Sequence, residues 1–290
     1  MRLADWGMDS QKRQAWLKRA ARWLVLLGVL YFMWRWFEHS QVYHPYRALE
    51  ASPAELRREF TDTRFTTDDG VELHGWFFPA DTNSLRAHLA FLICHGNAGN
   101  ISHRLDLCAA LLETGAAVFV FDYRGYGRSQ GRPGEQGTYR DAQAAHAWLR
   151  QRGFSGRNII AYGESLGGAV ATELALRESL GGLVLHGTFT SIPDIGAELF
   201  PWLPVRWLTR TQYATCKKLP RVNVPVLVMH SREDEIIGFA HAERNFAVAP
   251  DPKLFCELRG GHNDAAWEQA AYREAIENLL KVIEAQSDSL

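Results

Sequence analysis

Ser165 lies in Ile159 to Gly168, Ile-Ile-Ala-Tyr-Gly-Glu-Ser-Leu-Gly-Gly, between glycines and at the point where an apolar run gives way to an Ala/Leu-rich helical pattern. Gly163, Glu164, Ser165, Leu166 and Gly167 spell Gly-x-Ser-x-Gly. The spacing is steric in origin: a nucleophile on a strained strand-to-helix turn needs neighbours without side chains, and the turn lifts its hydroxyl clear of the sheet. The helix expected next, Ala169 to Arg177, aims unpaired N–H groups and its positive dipole end at an oxygen that gains negative charge. Strand pattern before and helix pattern after argue against an ordinary loop.

A serine hydroxyl is a poor nucleophile at neutral pH, so it needs a base within hydrogen-bond reach and a carboxylate to orient that base. In a doubly wound arrangement of this kind they follow late strands in the order Ser, Asp, His. Val224 to His230 is followed by Ser231-Arg232-Glu233-Asp234-Glu235-Ile236-Ile237, and Lys253 to Leu258 by Arg259-Gly260-Gly261-His262-Asn263-Asp264. His262 is the candidate base, since the glycines before it permit a tight turn at the strand's carboxyl end. Asp234 is the candidate acid, four residues past His230, with Ile236 and Ile237 returning to the core. Glu233 and Glu235 flank it as solvated alternatives, and Asp264 is placed to cap the closing helix. The two oxyanion donors are expected to be the N–H of Leu166, just after the nucleophile, and that of Asn97, in the loop after Cys94. His95 reads as a residue that holds this loop in shape by hydrogen bonding. Ser129, in Gly125-Tyr126-Gly127-Arg128-Ser129, lacks a following glycine and opens no helix.

These residues need a scaffold, and the chain supplies alternating strand and helix patterns. Ala90 to Cys94 and Ala116 to Phe121 read as buried strands, and Asn158 to Tyr162, Gly182 to His186, Val224 to His230 and Lys253 to Leu258 continue the pattern as strands. Helical periodicity over Ser102 to Glu113, Tyr139 to Arg152 and Ala265 to Ala285 separates or closes them. Arg64 to Thr67, the Asp68-Asp69-Gly70 turn and Val71 to Phe78 read as a hairpin at a sheet edge. The expected fold class is α/β: a mostly parallel, doubly wound sheet with helices on both faces. Thr188 to Asn223 is longer than a crossover requires and rich in apolar residues, which predicts a short lid at about 188–223 or a cover for the end of the sheet.

With 290 residues and a formal net charge of −1, the chain can hold one large domain and shows no electrostatic signature of a nucleic-acid partner. Cys94, Cys108, Cys216 and Cys256 show no metal-ligand spacing, and a disulfide is possible if the domain is exported. Ala20 to Phe37 is apolar apart from Arg22 and Arg35, carries Trp23, Trp34 and Trp36, and follows Lys12, Arg13, Lys18 and Arg19. It predicts an uncleaved amino-terminal membrane anchor over residues 1–40, the amino end cytoplasmic and the domain of 41–290 on the opposite side. Because only Trp23 to Trp34 is uninterrupted, the other reading is a helix lying in the interface with a cytoplasmic domain.

His95-Gly96-Asn97-Ala98-Gly99, Asp122-Tyr123-Arg124-Gly125-Tyr126-Gly127-Arg128-Ser129, Tyr162 to Gly168, Arg232 to Ile237 and Gly261-His262-Asn263-Asp264 together resemble the α/β-hydrolase superfamily. More narrowly, the chain resembles the membrane-anchored ABHD-type (Bem-like) branch. The resemblance covers Arg64 to the end. It implies a serine hydrolase with Ser165, Asp234 and His262 as catalytic triad, Asn97 and Leu166 as oxyanion donors, and no cofactor or metal. The expected function is cleavage of carboxylic ester or thioester bonds in acyl or lipid-like substrates at a membrane. A serine peptidase of aminopeptidase type and a non-catalytic scaffold on the same fold are the alternatives.

Overall fold

An apolar run without alternation has to be covered on both faces. In the computed structural model, which describes residues 10–264 and 266–287, Ala90–Cys94 (β4) is such a strand, with every residue buried. Residues 1–9 of the basic amino-terminal segment and 288–290 of the tail lie outside the described residues. Around β4 an eight-stranded sheet forms from Thr61–Thr66 (β2), Glu72–Phe78 (β3), Ala117–Asp122 (β6), Ile159–Glu164 (β7), Gly182–His186 (β8), Val226–Ser231 (β9) and Lys253–Leu258 (β10). Their order is β10-β9-β8-β7-β4-β6-β3-β2; β2 and β3 pair antiparallel at one edge, β3 pairs antiparallel with β6, and the remaining neighbours are parallel.

Parallel neighbours require crossovers, and the sequence between strands supplies amphipathic helices for them. Leu105–Leu112 (α2) and Ala270–Ser287 (α9) bury Leu107, Leu111, Ile276, Leu279 and Leu280 against Phe91, Ile93, Val118, Val120, Ile160 and Leu227 of the sheet. On the other side Glu135–Gln151 (α3) stacks Trp148 on Phe119, ring centroids 4.3 Å apart, and Leu166–Arg177 (α4) packs against α3, β7 and β8. Each fully buried aliphatic or aromatic side chain here contributes roughly 1.5–3 kcal/mol. Ala240–Val248 (α8) supplies the crossover between β9 and β10. A pair of two-residue strands, His44–Pro45 (β1) and Ala98–Gly99 (β5), forms a separate parallel ribbon.

The insert expected as a lid folds into Ile192–Leu199 (α5), Val205–Leu208 (α6) and Thr215–Lys218 (α7), followed by a 3-10 turn at Leu219–Arg221. α7 packs on α4 and α8 and so helps to cover the sheet, whereas α5 and α6 pack on each other. Between and on these two, Trp202 and Trp207 are 76% and 92% exposed.

Residues 1–42 form a compact unit distinct from 43–290, and their described part is one helix, Ser10–Val42 (α1). Among the described residues no helix is long and apolar enough to cross a membrane, so the expectation of a spanning anchor helix is corrected. The physical reason is length: the twelve residues from Trp23 to Trp34 rise about 18 Å as a helix, against a hydrocarbon core of about 30 Å. Cys94, Cys108, Cys216 and Cys256 are all free thiols.

Candidate active site

Ser165 occupies the junction of β7 and α4 with φ 52° and ψ −117°, a conformation that costs a non-glycine residue on the order of 1–3 kcal/mol. Packing enforces it. A Cβ on Gly163 would lie 2.4 Å from the Gly168 Cα, one on Gly167 1.8 Å from the Cys94 carbonyl oxygen, and one on Gly168 2.0 Å from Thr188 Oγ1. Two backbone bonds complete the turn: Ser165 N–H donates to the His186 carbonyl at 2.8 Å, and Gly168 N–H to the Ser165 carbonyl at 3.0 Å. The helix therefore begins at Leu166, three residues before the Ala/Leu pattern that marks it in sequence.

The loops after β9 and β10 meet this turn. His262 Nε2 lies 3.1 Å from Ser165 Oγ, and His262 Nδ1 lies 2.7 Å from Asp234 Oδ2. A carboxylate only accepts, so Nδ1 carries the proton and Nε2 presents its lone pair to the serine hydroxyl. Gly187, at φ +58°, passes beside the ring, where a Cβ would come 3.5 Å from His262 Cε1.

Asp234 is fixed on both oxygens. Oδ1 accepts the N–H groups of Ile236 and Ile237 at 2.9 and 2.7 Å. His230 donates Nε2–H to the Ile237 carbonyl at 2.7 Å and stands 3.3 Å from Asp234 Oδ2. Burial alone would raise this carboxyl's pKa, but His230, His262 and the Ile237 N–H together hold it well below the usual carboxylate range. Asp234 is thus the acid that reaches the ring. Its two neighbours reach the backbone instead: Glu233 accepts Gly260 N–H at 2.9 Å and Glu235 accepts His262 N–H at 3.1 Å. Asp264 accepts Gly261 N–H at 2.6 Å, closing the turn under His262.

Leu166 is buried as the first residue of α4, where a helix N–H has no carbonyl of its own helix to bond. Asn97 follows Gly96, whose Cβ, if present, would lie 3.6 Å from that of Ser165. His95 is fully buried and donates Nδ1–H to the Gly96 carbonyl at 2.7 Å; burial pushes its pKa down to about 4. Ser129 is used structurally, its hydroxyl donating to the Asp122 carbonyl and accepting His74 N–H.

Sequence reasoning missed two supports of the site. Arg104 pairs with Glu164 at 2.6 Å, tying the loop region after β4 to the residue before the serine. His186 accepts the Tyr162 hydroxyl at 2.9 Å, which in turn accepts that of Tyr272 at 3.1 Å; burial pushes the His186 pKa down to about 4 and keeps this second imidazole neutral. Neither carries a spacing signal, because the partners lie 60 and 24 residues apart.

A serine on a strained turn, joined by a histidine to a carboxylate, is an arrangement recognised by geometry on several folds, and comparison with known proteins narrows which fold this is. A family model described as alpha/beta hydrolase fold matches residues 90–209. The chain is similar to the uncharacterized protein Rv2307c of Mycobacterium tuberculosis, 40% identical over 243 residues, 83% of this chain and 85% of that one. It is also similar to the alpha/beta hydrolase domain-containing protein WAV2 of Arabidopsis thaliana, 30% identical over 256 residues, 80% of this chain and 82% of that one. Among solved structures, the esterase Pf2001 of Pyrococcus furiosus shares the fold with a TM-score of 0.67 at 21% identity, covering 84% of this chain and 98% of that one. With the sheet order, the family model and relatives matched over four fifths of their length in agreement, this chain belongs to the α/β-hydrolase family.

Proposed function

We propose that this protein is a serine esterase or thioesterase of the ABHD-type (Bem-like) branch, acting on acyl or lipid-like substrates through an acyl-enzyme. The observation that carries the reading is the relay of Ser165, His262 and Asp234, with contacts of 3.1 and 2.7 Å on a turn that close packing enforces. Ser165 Oγ attacks the carbonyl carbon as its proton passes to His262 Nε2, and Asp234 stabilises the imidazolium without taking the proton. The N–H groups of Asn97 and Leu166 receive the oxyanion. His262 then gives its proton to the leaving alcohol or thiol, and water repeats the sequence to release the acid.

Apolar surface favours a lipid-like substrate met at a membrane surface. Trp202, Trp207, Leu199 and Leu208 are exposed on and beside α5 and α6, which we assign as the lid. α1 exposes Trp16, Trp23, Leu24, Phe32 and Trp36 together with Lys18, Arg19 and Arg22, aromatic and apolar surface beside cations whose long side chains can reach a lipid headgroup layer.

The full chain is expected to be labelled by a fluorophosphonate probe and to hydrolyse p-nitrophenyl esters or acyl-thioesters, with both activities lost in Ser165→Ala. A wild-type chain that neither labels nor hydrolyses either class would overturn the proposal. Cleavage of aminoacyl-arylamides but not of esters would replace it with a peptidase.

A further inference from the structure

The loop His95 to Asn100 holds the proposed oxyanion donor Asn97, yet most of the groups that fix it come from distant parts of the chain. Five consecutive carbonyls are each taken by a donor. His95 C=O accepts the Tyr123 hydroxyl at 3.1 Å, and Gly96 C=O accepts His95 Nδ1–H at 2.7 Å. Asn97 C=O accepts two donors, His44 N–H at 3.0 Å and the Tyr126 hydroxyl at 2.8 Å. Ala98 C=O accepts the Arg104 guanidinium at 3.4 Å, and Gly99 C=O accepts Tyr46 N–H at 3.3 Å.

Two of these donors, His44 and Tyr46 N–H, belong to the segment that follows α1 directly, since that helix ends at Val42. The segment pairs as β1 with β5 in parallel register, His44 opposite Ala98 and Pro45 opposite Gly99. It is pinned on its other side as well. Asn100 donates its amide to the carbonyls of Tyr46 and Ala48 at 3.0 and 2.6 Å, and Gly127 N–H donates to the Tyr46 carbonyl at 3.0 Å. The Tyr43 hydroxyl meets that of Tyr213 at 3.1 Å, which meets Thr138 Oγ1 at 2.7 Å.

A trans peptide is planar, so an N–H points opposite to the carbonyl with which it shares a plane. Asn97 N–H shares its plane with Gly96 C=O, and the next plane contains Asn97 C=O. Holding both carbonyls fixes the two soft torsions of Asn97 and with them the direction of its N–H. Gly96 and Gly99, the latter at φ +78°, leave the loop little conformational preference beyond its own His95–Gly96 bond, so outside donors supply the rest.

We propose that the strap His44–Tyr46 and the Tyr126 hydroxyl are positioning groups of the oxyanion hole. Neither touches substrate; they aim Asn97 N–H at the oxygen that becomes charged, and the segment leaving the amino-terminal helix is thereby part of the catalytic apparatus. This rests on the serine-hydrolase reading above. Because the charge develops only after attack, loosening the strap lowers the rate of the chemical step and leaves ground-state binding alone.

The test uses the full chain. Tyr126→Phe removes the hydroxyl and keeps the ring, which packs beside His95 and Tyr123 with centroids 5.4 and 5.9 Å away. His44→Pro removes the N–H at a position whose side chain is exposed. Each is expected to slow inactivation by a fluorophosphonate about tenfold in the maximal rate constant, with the half-saturating concentration changed less than about twofold. Each should also weaken an alkyl boronic acid, which forms a tetrahedral adduct, by the same factor. The double variant should lose less than the product of the two factors, since both donors serve one carbonyl. Unchanged inactivation in both variants, or slower inactivation with boronic acid affinity retained, would overturn the strap's role. A wild-type chain that does not label at all would instead overturn the reading beneath it.

Discussion

Ser165 and His262 stand 3.1 Å apart, yet different physics holds each in place. The serine turn is fixed by exclusion: Gly163, Gly167 and Gly168 face backbone or side-chain atoms within 1.8 to 2.4 Å of where a Cβ would be. The histidine loop is fixed by hydrogen bonds at the surface. Arg259, Gly260, Gly261 and His262 donate their N–H groups to Gln269, Glu233, Asp264 and Glu235 at 3.0, 2.9, 2.6 and 3.1 Å, and the three acids are on exposed residues. Exclusion tolerates no substitution, whereas a surface hydrogen bond contributes about 0.5–1.5 kcal/mol net and water can replace it. The nucleophile therefore has one position at a high cost for change, and the base has one position sustained by many small contributions.

The largest effects should fall on opposite sides of this contrast in different observables. Gly167→Ala drives a Cβ into the Cys94 carbonyl, a backbone atom that cannot rotate away. Folded protein should be lost, or the Tm lowered by about 10 °C or more, as overpacking of several kcal/mol requires. Asp234→Asn leaves the fold intact, because an amide of the same shape replaces the carboxylate. The amide N–H can now donate to His262 Nδ1, which selects the wrong tautomer, and kcat should fall about 10⁴-fold. A Gly167→Ala enzyme with wild-type Tm, or an Asp234→Asn enzyme retaining a tenth of its activity, would remove the contrast. Paired thermal melts and ester kinetics measure both.

Acid should weaken the serine side next. His95 lies beside Gly96, and the His186 carbonyl takes the Ser165 N–H; burial holds both imidazoles at a pKa of about 4. In the unfolded chain each takes up a proton near its usual value of about 6.5. Between those values the unfolded state binds more protons, so stability is fully present above about 6.5 and falls as pH drops toward 4. At pH 5 the loss should be on the order of 2 kcal/mol for each histidine. Urea titrations at pH 7.5 and 5.0 test this, with His186→Gln expected to reduce the difference by about the share of one histidine and leave that of His95. Equal stability at both pH values in the wild type would contradict it.

The same contrast explains what could be read from the chain before its structure. Exclusion leaves a trace in sequence, because only glycine satisfies it, and Gly-x-Ser-x-Gly marked the turn at once. Buried runs have sharp ends, so Ala90–Cys94 and Gly182–His186 match their expected limits, as does the partly exposed Lys253–Leu258. Glu233, Asp234 and Glu235 were another matter, since three consecutive acids on a loop differ only in where the backbone turns them. All three serve the histidine loop, one through its ring and two through its backbone. β1 and β5 are too short to have a pattern. For the amino-terminal helix the sequence leaves a span and an interfacial helix both open, because tryptophans and arginines at the ends of a short apolar core suit either.

The smallest expected effects belong to the carboxylates under His262, and they probe the contrast most finely. Glu235→Gln keeps an acceptor for His262 N–H but removes a charge, and Glu233→Gln does the same at Gly260. A charge-assisted bond exceeds a neutral one by roughly a factor of two, so each change should cost at most about 1 kcal/mol in loop order. That corresponds to a kcat lowered about two- to fivefold, with KM and Tm close to wild type. Because the two acceptors serve neighbouring residues of one loop, the double variant should lose more than either alone, and its deficit should shrink in high salt, which screens the carboxylate charges that give the wild type its advantage. If instead either single variant fell a hundredfold, the histidine loop would be as intolerant as the serine turn, and the distinction between exclusion and replaceable bonds would fail at the base.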